Sequence, residues 1–321
     1  MPKELFHYCS NSKCFSILES KTIRLSDIQK SNDYKELCLF FPKIFSVLER
    51  LYREKPFSFK CSGKIGIRAF EILLNDSYDY WYDSFSTGDF SNFVLCLSEK
   101  SDSLSQWRGY ADNGKGCCIG FDKNLLKDYC LSTNNVLRLE KVTYLSETGI
   151  NEVLLNIAQE ILNNMDGLRE WIVDNITHND NNSRTDILLR YNFDELLEEA
   201  FISSLKYKSY SFKEENEWRI FFSRPAYKKP EWIVKNDDNE LIGPDGFADT
   251  VHFLNNKVDF SIIEDDIIPF CPINFKEFNA NPVSSIMVGP KSRIRPSDLE
   301  LFLQSKGYHN TKIKKSKITY N

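Results

Sequence analysis

Nowhere in this 321-residue chain do about 18 apolar residues follow one another, the length a transmembrane helix requires. The opening Met1-Pro2-Lys3-Glu4 carries no apolar signal segment, so the chain is expected to remain in the cytoplasm, off the membrane. Histidine is scarce: His7, His178, His252 and His309 are the four present, and none lies three or four residues from another. That spacing excludes a helical two-histidine metal site and argues against a zinc hydrolase. The nine cysteines are odd in number and lack any C-x-x-C pair, which leaves no thiolate framework for zinc or for thioredoxin-like redox chemistry. They read as reduced, mostly core thiols, and no metal is expected.

Basic charge is also lacking. A formal net charge of −5 does not suit a broad, sequence-independent grip on phosphate backbones. Lys306, Lys312, Lys314, Lys315 and Lys317 make a local cluster, which a solvated strand face explains equally well. Gly114 to Gly120 lacks the Gly-Lys-Ser/Thr of a P-loop, and no local cysteine–histidine signature is present. Kinase, ATPase and dinucleotide-fold dehydrogenase readings fall away.

What is present is ample core material: 41% hydrophobic side chains, enough to fold without disulfides or metal. Leu5-Phe6-His7-Tyr8 predicts a first strand, Ser12 to Glu19 a helix with Cys14, Ile17 and Leu18 on one face, and Thr22 to Ser26 a second strand. Ser31 to Glu36 is turn-rich, and Asn32 and Asp33 read first as turn formers. Helical stretches follow through Phe45–Leu51 and from Ile67 to Asn75, the second ending in an aromatic cluster of Tyr78, Tyr80, Trp81, Tyr82 and Phe85. Phe93–Ser98 and Gly116–Phe121 are apolar runs of strand length and predict buried central strands. Asn151 to Leu205 repeats apolar residues at helical spacing around the polar loop Asn179–Asn182 and is expected to be a helical insert. Residues 223–283 read as an irregular or strand-containing insert. The end returns to strands at Ile286–Val288 and from Lys312 to Tyr320, around a helix opened by Pro296 and closed at Gly307. The expected fold is α+β: one mixed domain over residues 1–321 with a central, largely antiparallel sheet, a helical insert and a C-terminal strand-helix-strand.

Two segments concentrate polar chemistry. If Phe212 to Phe222 is extended, Lys213, Glu215, Glu217 and Arg219 share one face, and Phe212, Trp218, Ile220 and Phe222 the other. A cation beside one carboxylate keeps it ionised while a like charge raises the pKa of the other, the division acid–base work needs. The bland alternatives are an exposed strand face with weak charge pairs or, if the segment is helical, a Glu215–Arg219 surface pair. Gln106-Trp107-Arg108-Gly109-Tyr110 follows a predicted buried strand. Its aromatics suit stacking on a nicotinamide or base, with Gln106 or Arg108 bonding an amide or phosphate, or they are core plugs. His7 is a catalytic candidate beside the plainer reading of a satisfied structural histidine.

Leu5–Ser10, Arg24-Leu25-Ser26 with Asn32–Glu36, Leu95–Glu99, Gln106–Ala111, Gly116–Phe121 and Glu215–Arg219, taken in order, resemble family 2971 of the bacterial domains of unknown function. Ile286–Lys291 and Ile313–Tyr320 look like that family's end. The likeness is weak over Asn151–Leu205 and Ser223–Val283, and it departs at Tyr34, where the family commonly has Pro, and at Gln106, where it often has Met.

By analogy of fold alone, the strand with His-Tyr, the helix and the strand with Arg-Leu-Ser are similar to the opening of ADP-ribosyltransferases. Those enzymes use a His or Arg, then a Tyr or Ser, then a Glu; the resemblance implies His7 (or Arg24), Tyr110 (or Ser98) and Glu217 (or Glu215) here. Tyr8, Arg24, Ser98, Gln106, Trp107 and Arg219 would help hold NAD, Glu217 would stabilise charge at the ribose, and Glu215 would orient an acceptor or take its proton. The implied partner is a protein or nucleic-acid acceptor, and the implied setting a bacterial stress response, a toxin or phage defence. Two other readings stay open: a metal-dependent nuclease using Asp33, Glu36, Glu215 and Glu217, and a non-catalytic binding module with a pocket of Trp107, Tyr110 and Trp218.

Overall fold

The computed structural model describes residues 2–28, 40–41, 43–57, 60–61, 64–87, 91–133, 136–175, 182–224, 234–235, 241–242, 258–263 and 266–320. The predicted Ser31–Glu36 turn lies outside them, as does about half of the insert expected over residues 223–283.

The chain opens as β1 (Glu4–Cys9), α1 (Asn11–Ser20) and β2 (Thr22–Asp27). Ser10 caps α1 by accepting from the Lys13 N–H, and Lys21 ends it in the left-handed region at φ 52°. After α2 (Lys43–Glu54), the short antiparallel pair β3 (Lys60–Cys61) and β4 (Lys64–Ile65) precedes α3 (Ile67–Thr87). Here the expectation of a helix ending near Asn75 is corrected, because α3 continues through the aromatic cluster. Tyr78 stacks on Phe41, and Trp81 meets Phe201 edge-on, so these two belong to the helix's packing face, while Tyr82 stays exposed.

The middle of the chain runs β5 (Ser91–Ser98), α4 (Leu104–Tyr110), β6 (Cys117–Asp122), α5 (Lys123–Ser132), β7 (Arg138–Lys141) and β8 (Thr143–Leu145). Next come α6 (Glu147–Asn175), α7 (Asn182–Ser204), β9 (Tyr207–Ser209) and β10 (Glu217–Arg224). The rest comprises β11 (Val234–Lys235), β12 (Leu241–Ile242), β13 (Asp259–Ile263), β14 (Asp266–Asn274), β15 (Val283–Val288), α8 (Pro296–Ser305) and β16 (Lys312–Lys315). The predicted last strand is shorter than expected: it stops at Lys315, and residues 316–320 run on without strand pairing. Among the described residues, no helix is long and apolar enough to cross a membrane.

A mixed α/β fold results, built on one 10-stranded sheet in the order β13-β14-β2-β5-β1-β6-β15-β16, with β10 also on β5 and β7 on β10. All its pairings are antiparallel except β15 with β16. The expected largely antiparallel sheet is therefore present, and β14 of the second insert is one of its strands, hydrogen-bonded to β2.

β5 is where the sheet branches. One edge pairs with β10 along its whole length, from Glu217 opposite Ser98 to Arg224 opposite Ser91. The other edge is shared: β2 takes Phe93 and Val94, and β1 takes Ser98 alone. Between those contacts Leu95, Cys96 and Leu97 have no strand partner on that edge among the described residues, and β1 and β2 part around them. The parting is the cleft described below.

Two large cores hold the fold. The first lies on one face of the sheet and is covered by α1, α5 and α8, with Leu5, Leu25, Leu95, Ile119, Ile220 and Ile286 at its centre. The second joins α2, α3, α6 and α7 around Leu48, Tyr52, Phe70, Trp81, Met165 and Phe193. The predicted helical insert therefore packs together with the two earlier helices instead of standing apart. A small cluster of Ile28, Val94, Leu205 and Phe221 fastens the end of this helical layer to the sheet.

Candidate functional site

Phe6, His7 and Tyr8 of β1, Arg24 and Ser26 of β2, Val94 to Ser98 of β5, Gln106 and Tyr110 of α4, and Glu215 and Glu217 line one cleft. It encloses about 600 Å³ of empty space, counted out to its open mouth.

Glu215 and Glu217 reach it by different routes. The single extended face predicted for Phe212–Phe222 is corrected, and so is the helical alternative: Tyr210–Glu215 is a 3-10 turn, Asn216 is left-handed at φ 46°, and β10 begins only at Glu217. Asparagine tolerates that conformation, and the Asn216 carbonyl accepts from the Glu99 N–H at 2.9 Å, which anchors the kink to the end of β5. Lys213 is left on the surface, bonded to the Tyr210 hydroxyl.

Nor is the carboxylate face an exposed one. Glu217 is 4% exposed and Arg219 1%. Arg219 donates from Nε to Glu217 Oε1 at 2.7 Å and from Nη1 to the Leu205 carbonyl at 2.9 Å. Lys208 of β9, 1% exposed, places its ammonium 3.2 Å from Glu217 Oε2 and 2.8 Å from Glu215 Oε2. Burial pushes the Glu217 carboxyl up, but the Arg219 guanidinium and the Lys208 ammonium outweigh it and hold the group below its ordinary value. The Glu217 backbone N–H donates to the Tyr144 hydroxyl at 2.8 Å, and burial raises that phenol to about 12.

Glu215 faces the other way. Its Oε1 accepts from the Tyr110 hydroxyl at 3.1 Å, and its carbonyl accepts from Ser98 Oγ at 2.6 Å. Tyr110 is 46% exposed at the cleft mouth. Ser98 also accepts from the Lys100 N–H, so its hydroxyl is committed to fixing backbone.

His7 is half-buried in the cleft wall, its Nδ1 3.3 Å from the Cys96 carbonyl, which has no strand partner on the edge where the sheet parts. A carbonyl only accepts, so Nδ1 carries the proton and Nε2 is an acceptor. Burial brings the imidazole down to about 4, which leaves it neutral at neutral pH. Arg24 stands exposed on β2 with its guanidinium 3.9 Å from the centre of the Phe270 ring. Gln106 is buried in the wall.

Trp107 does not reach the cleft. It is 0% exposed, meets Tyr8 edge-on at 4.8 Å and donates its indole N–H to Asp102 at 2.7 Å. Of the two roles open to it, the core plug is the one the fold uses. Tyr8 lines the cleft with its ring, while its hydroxyl donates to the Lys100 carbonyl. Arg219 lies behind Glu217 and is not a lining residue. Trp218 projects from the opposite face of β10, bonded to Glu99 and covered by the Lys123 ammonium, so a pocket formed jointly by Trp107, Tyr110 and Trp218 is not assembled.

For the nuclease reading, Asp33 and Glu36 lie outside the described residues, and among the described residues no three metal-ligating side chains group together. The thiols largely follow expectation: six of the described cysteines are buried and free, whereas Cys96 is exposed to the cleft. Its thiol donates to Glu217, and burial among the cleft walls pushes it well above its ordinary value.

The residues missed by sequence reasoning are Lys208, Tyr144, Cys96 and Ser26. Lys208 had the faintest signal, since lysine is rarely buried and its neighbours Tyr207 and Ser209 do not mark it.

No curated protein and no solved structure matches the chain. A family model described as "Protein of unknown function (DUF2971)" matches residues 106–220, the stretch that supplies Gln106, Tyr110, Lys208, Glu215 and Glu217, whereas His7, Arg24 and Ser98 precede it. Over that stretch the chain is similar to the DUF2971 family.

Proposed function

We propose that this protein is an ADP-ribosyltransferase-like enzyme that uses NAD to modify a protein or nucleic acid. One observation carries the reading: the sheet parts at β5, and His7, Arg24, Gln106, Tyr110, Glu215 and Glu217, which come from five separate segments, face the same cleft. A split sheet with a neutral hydrogen-bonding ring on one wall, an aromatic at the mouth and an ionised carboxylate opposite is what transfer from a nicotinamide-bearing ribose needs.

In this reading His7 Nε2 accepts from a ribose hydroxyl, Gln106 bonds the nicotinamide amide, and the Tyr110 ring covers the nicotinamide. The bond from the ribose anomeric carbon to the nicotinamide nitrogen breaks, and the nitrogen keeps the electron pair. Glu217, held ionised, bonds a ribose hydroxyl and stabilises the positive charge that develops on the sugar. The acceptor's nucleophile then bonds the anomeric carbon, and its proton passes to Glu215. Arg24, exposed and supported by Phe270, suits the phosphates. A role as a stress-response, toxin or phage-defence effector belongs to the same proposal.

The test is nicotinamide release from NAD, by the purified protein alone and in cell lysate, comparing wild type with folded Glu217→Gln. Release that falls by about a hundredfold or more in the variant supports the reading, in line with removal of one transition-state partner. Glu215→Gln is expected to keep hydrolysis and lose transfer, and equal loss from both variants would undo that division of labour.

A second reading, a non-catalytic binding module, is favoured by the saturation of the Glu217 carboxylate by Lys208 and Arg219. NAD binding without release, indifferent to Glu217→Gln, selects it.

A further inference from the structure

We infer that Lys208 is the positioning residue of the cleft's carboxylate pair: its buried ammonium bridges Glu215 and Glu217 and holds Glu215 in place beside Glu217. The inference rests on the reading of Glu217 as the carboxylate that faces the reacting sugar.

A lysine ammonium withdrawn from water is costly unless its hydrogens are matched by acceptors. Lys208 meets that demand with two carboxylates, and the Phe212 ring covers it at 4.7 Å. Its place is set by β9, whose parallel pairing with β8 puts Lys208 opposite Tyr144, the residue that holds the Glu217 backbone.

The two carboxylates depend on Lys208 unequally. Glu217 has Arg219 as a second cation, with bonds to both oxygens, and keeps its pose without Lys208. Glu215 has Lys208 on one oxygen and the neutral Tyr110 hydroxyl on the other. Without the ammonium, two carboxylates two residues apart repel, and the one with less cationic support swings away. Lys208 therefore keeps Glu215 in place. Because β9 directly follows α7, it also ties the helical layer to the site.

Cys96 supplies a reporter that needs no NAD. Its thiol faces the cleft and senses Glu217, Arg219 and Lys208. The other titratable and charged groups that line the same cleft are Glu215 from the turn, Tyr110 from α4, His7 and Tyr8 from β1 and Arg24 from β2. The experiment is alkylation of Cys96 by iodoacetamide across a range of pH, resolved by peptide mass mapping, in wild type, Lys208→Met and Lys208→Arg. Removing the ammonium is expected to raise the thiol's pKa, and a rise of about one unit slows alkylation about tenfold at a fixed pH below it. Lys208→Arg should react near the wild-type rate. An unchanged rate in folded Lys208→Met would overturn the inference, since a packing role alone does not move the thiol's titration.

If Lys208→Met does not fold, the question passes to Glu215→Gln, read by nitrogen-15 lysine NMR. The Lys208 ammonium hydrogens should exchange with solvent faster than in wild type, and an unaltered signal would count against the bridge. In the turnover arm, Lys208→Met should keep nicotinamide release and lose transfer to the acceptor, as Glu215→Gln does, with Lys208→Arg recovering part of the loss. A wild type that releases no nicotinamide removes the NAD reading, while the alkylation and NMR results still decide the bridge.

Discussion

The helical layer and the cleft handle charge in opposite ways. In the helical layer the interior is aromatic, with Tyr52 stacked on Phe70 and Trp81 against Phe201, and its ion pairs stay outside. The side chains of Arg190–Asp76 and Arg53–Glu49 all retain a third or more of their exposure. At the cleft, Lys208, Glu217 and Arg219 are buried together. Packed apolar side chains of similar volume would serve stability as well or better than a buried ion network. Charges withdrawn from water beside an open cleft therefore point to chemistry, where those at the surface of the helices point only to solvation.

The sharpest way to break that contrast is Arg219→Met. It leaves Glu217 buried with Lys208 alone and the Leu205 carbonyl without its donor, and should cost about 3–5 kcal/mol by urea unfolding. A cost under about 1 kcal/mol would mean that the network is no more demanding than a surface pair. The pH dependence carries a second signature. Because folding lowers the Glu217 pKa, the unfolded chain takes up that proton first on acidification. The stabilisation is therefore complete above the ordinary value of 4.5 and is lost as pH falls through the lower folded value. That acid limb should shrink in Arg219→Met.

Next in size is Tyr144→Phe. The phenol accepts from the Glu217 N–H, and deleting it leaves a buried donor unmatched, at a cost of about 1–3 kcal/mol. A neutral result would show that β10 starts where it does without help from β8.

Much of this architecture was legible in the sequence, and the failures have identifiable physical causes. The opening strand, helix and strand, the central strands β5 and β6, and the Pro296 helix follow from local periodicity and capping. The extent of α3 was missed because its aromatics were grouped by type and not by their three- and four-residue spacing. The Glu215–Glu217 face failed at one residue: Asn216 turns left-handed, and strand periodicity has no way to announce it. Trp107 was open between ligand and core because burial is decided by Tyr8 and Asp102, more than ninety and five residues of context respectively, and only the first is beyond local reading. The cleft itself depends on β1 and β2 sharing one edge of β5, a matter of long-range register.

His7 offers a smaller test on the cleft side. Folding lowers its pKa from 6.5 to about 4, so between those values the unfolded chain binds a proton that the folded chain refuses. Stability should fall as pH drops from 6.5 towards 4 and level off below, and His7→Gln should flatten that slope. An identical slope in the variant would assign it to other groups.

The smallest effect belongs to the helical layer, and it tests the other half of the contrast. Arg190 Nη1 lies 3.1 Å from Asp76 Oδ2, with 45% and 43% of the two side chains exposed. Water screens both charges and solvates whichever is left alone, while pairing them costs side-chain freedom. Arg190→Ala should change stability by no more than about 0.5 kcal/mol in thermal or urea unfolding, with little sensitivity to salt. A loss approaching that of Arg219→Met would show that the helical layer also depends on its charges, and burial would no longer separate the two regions.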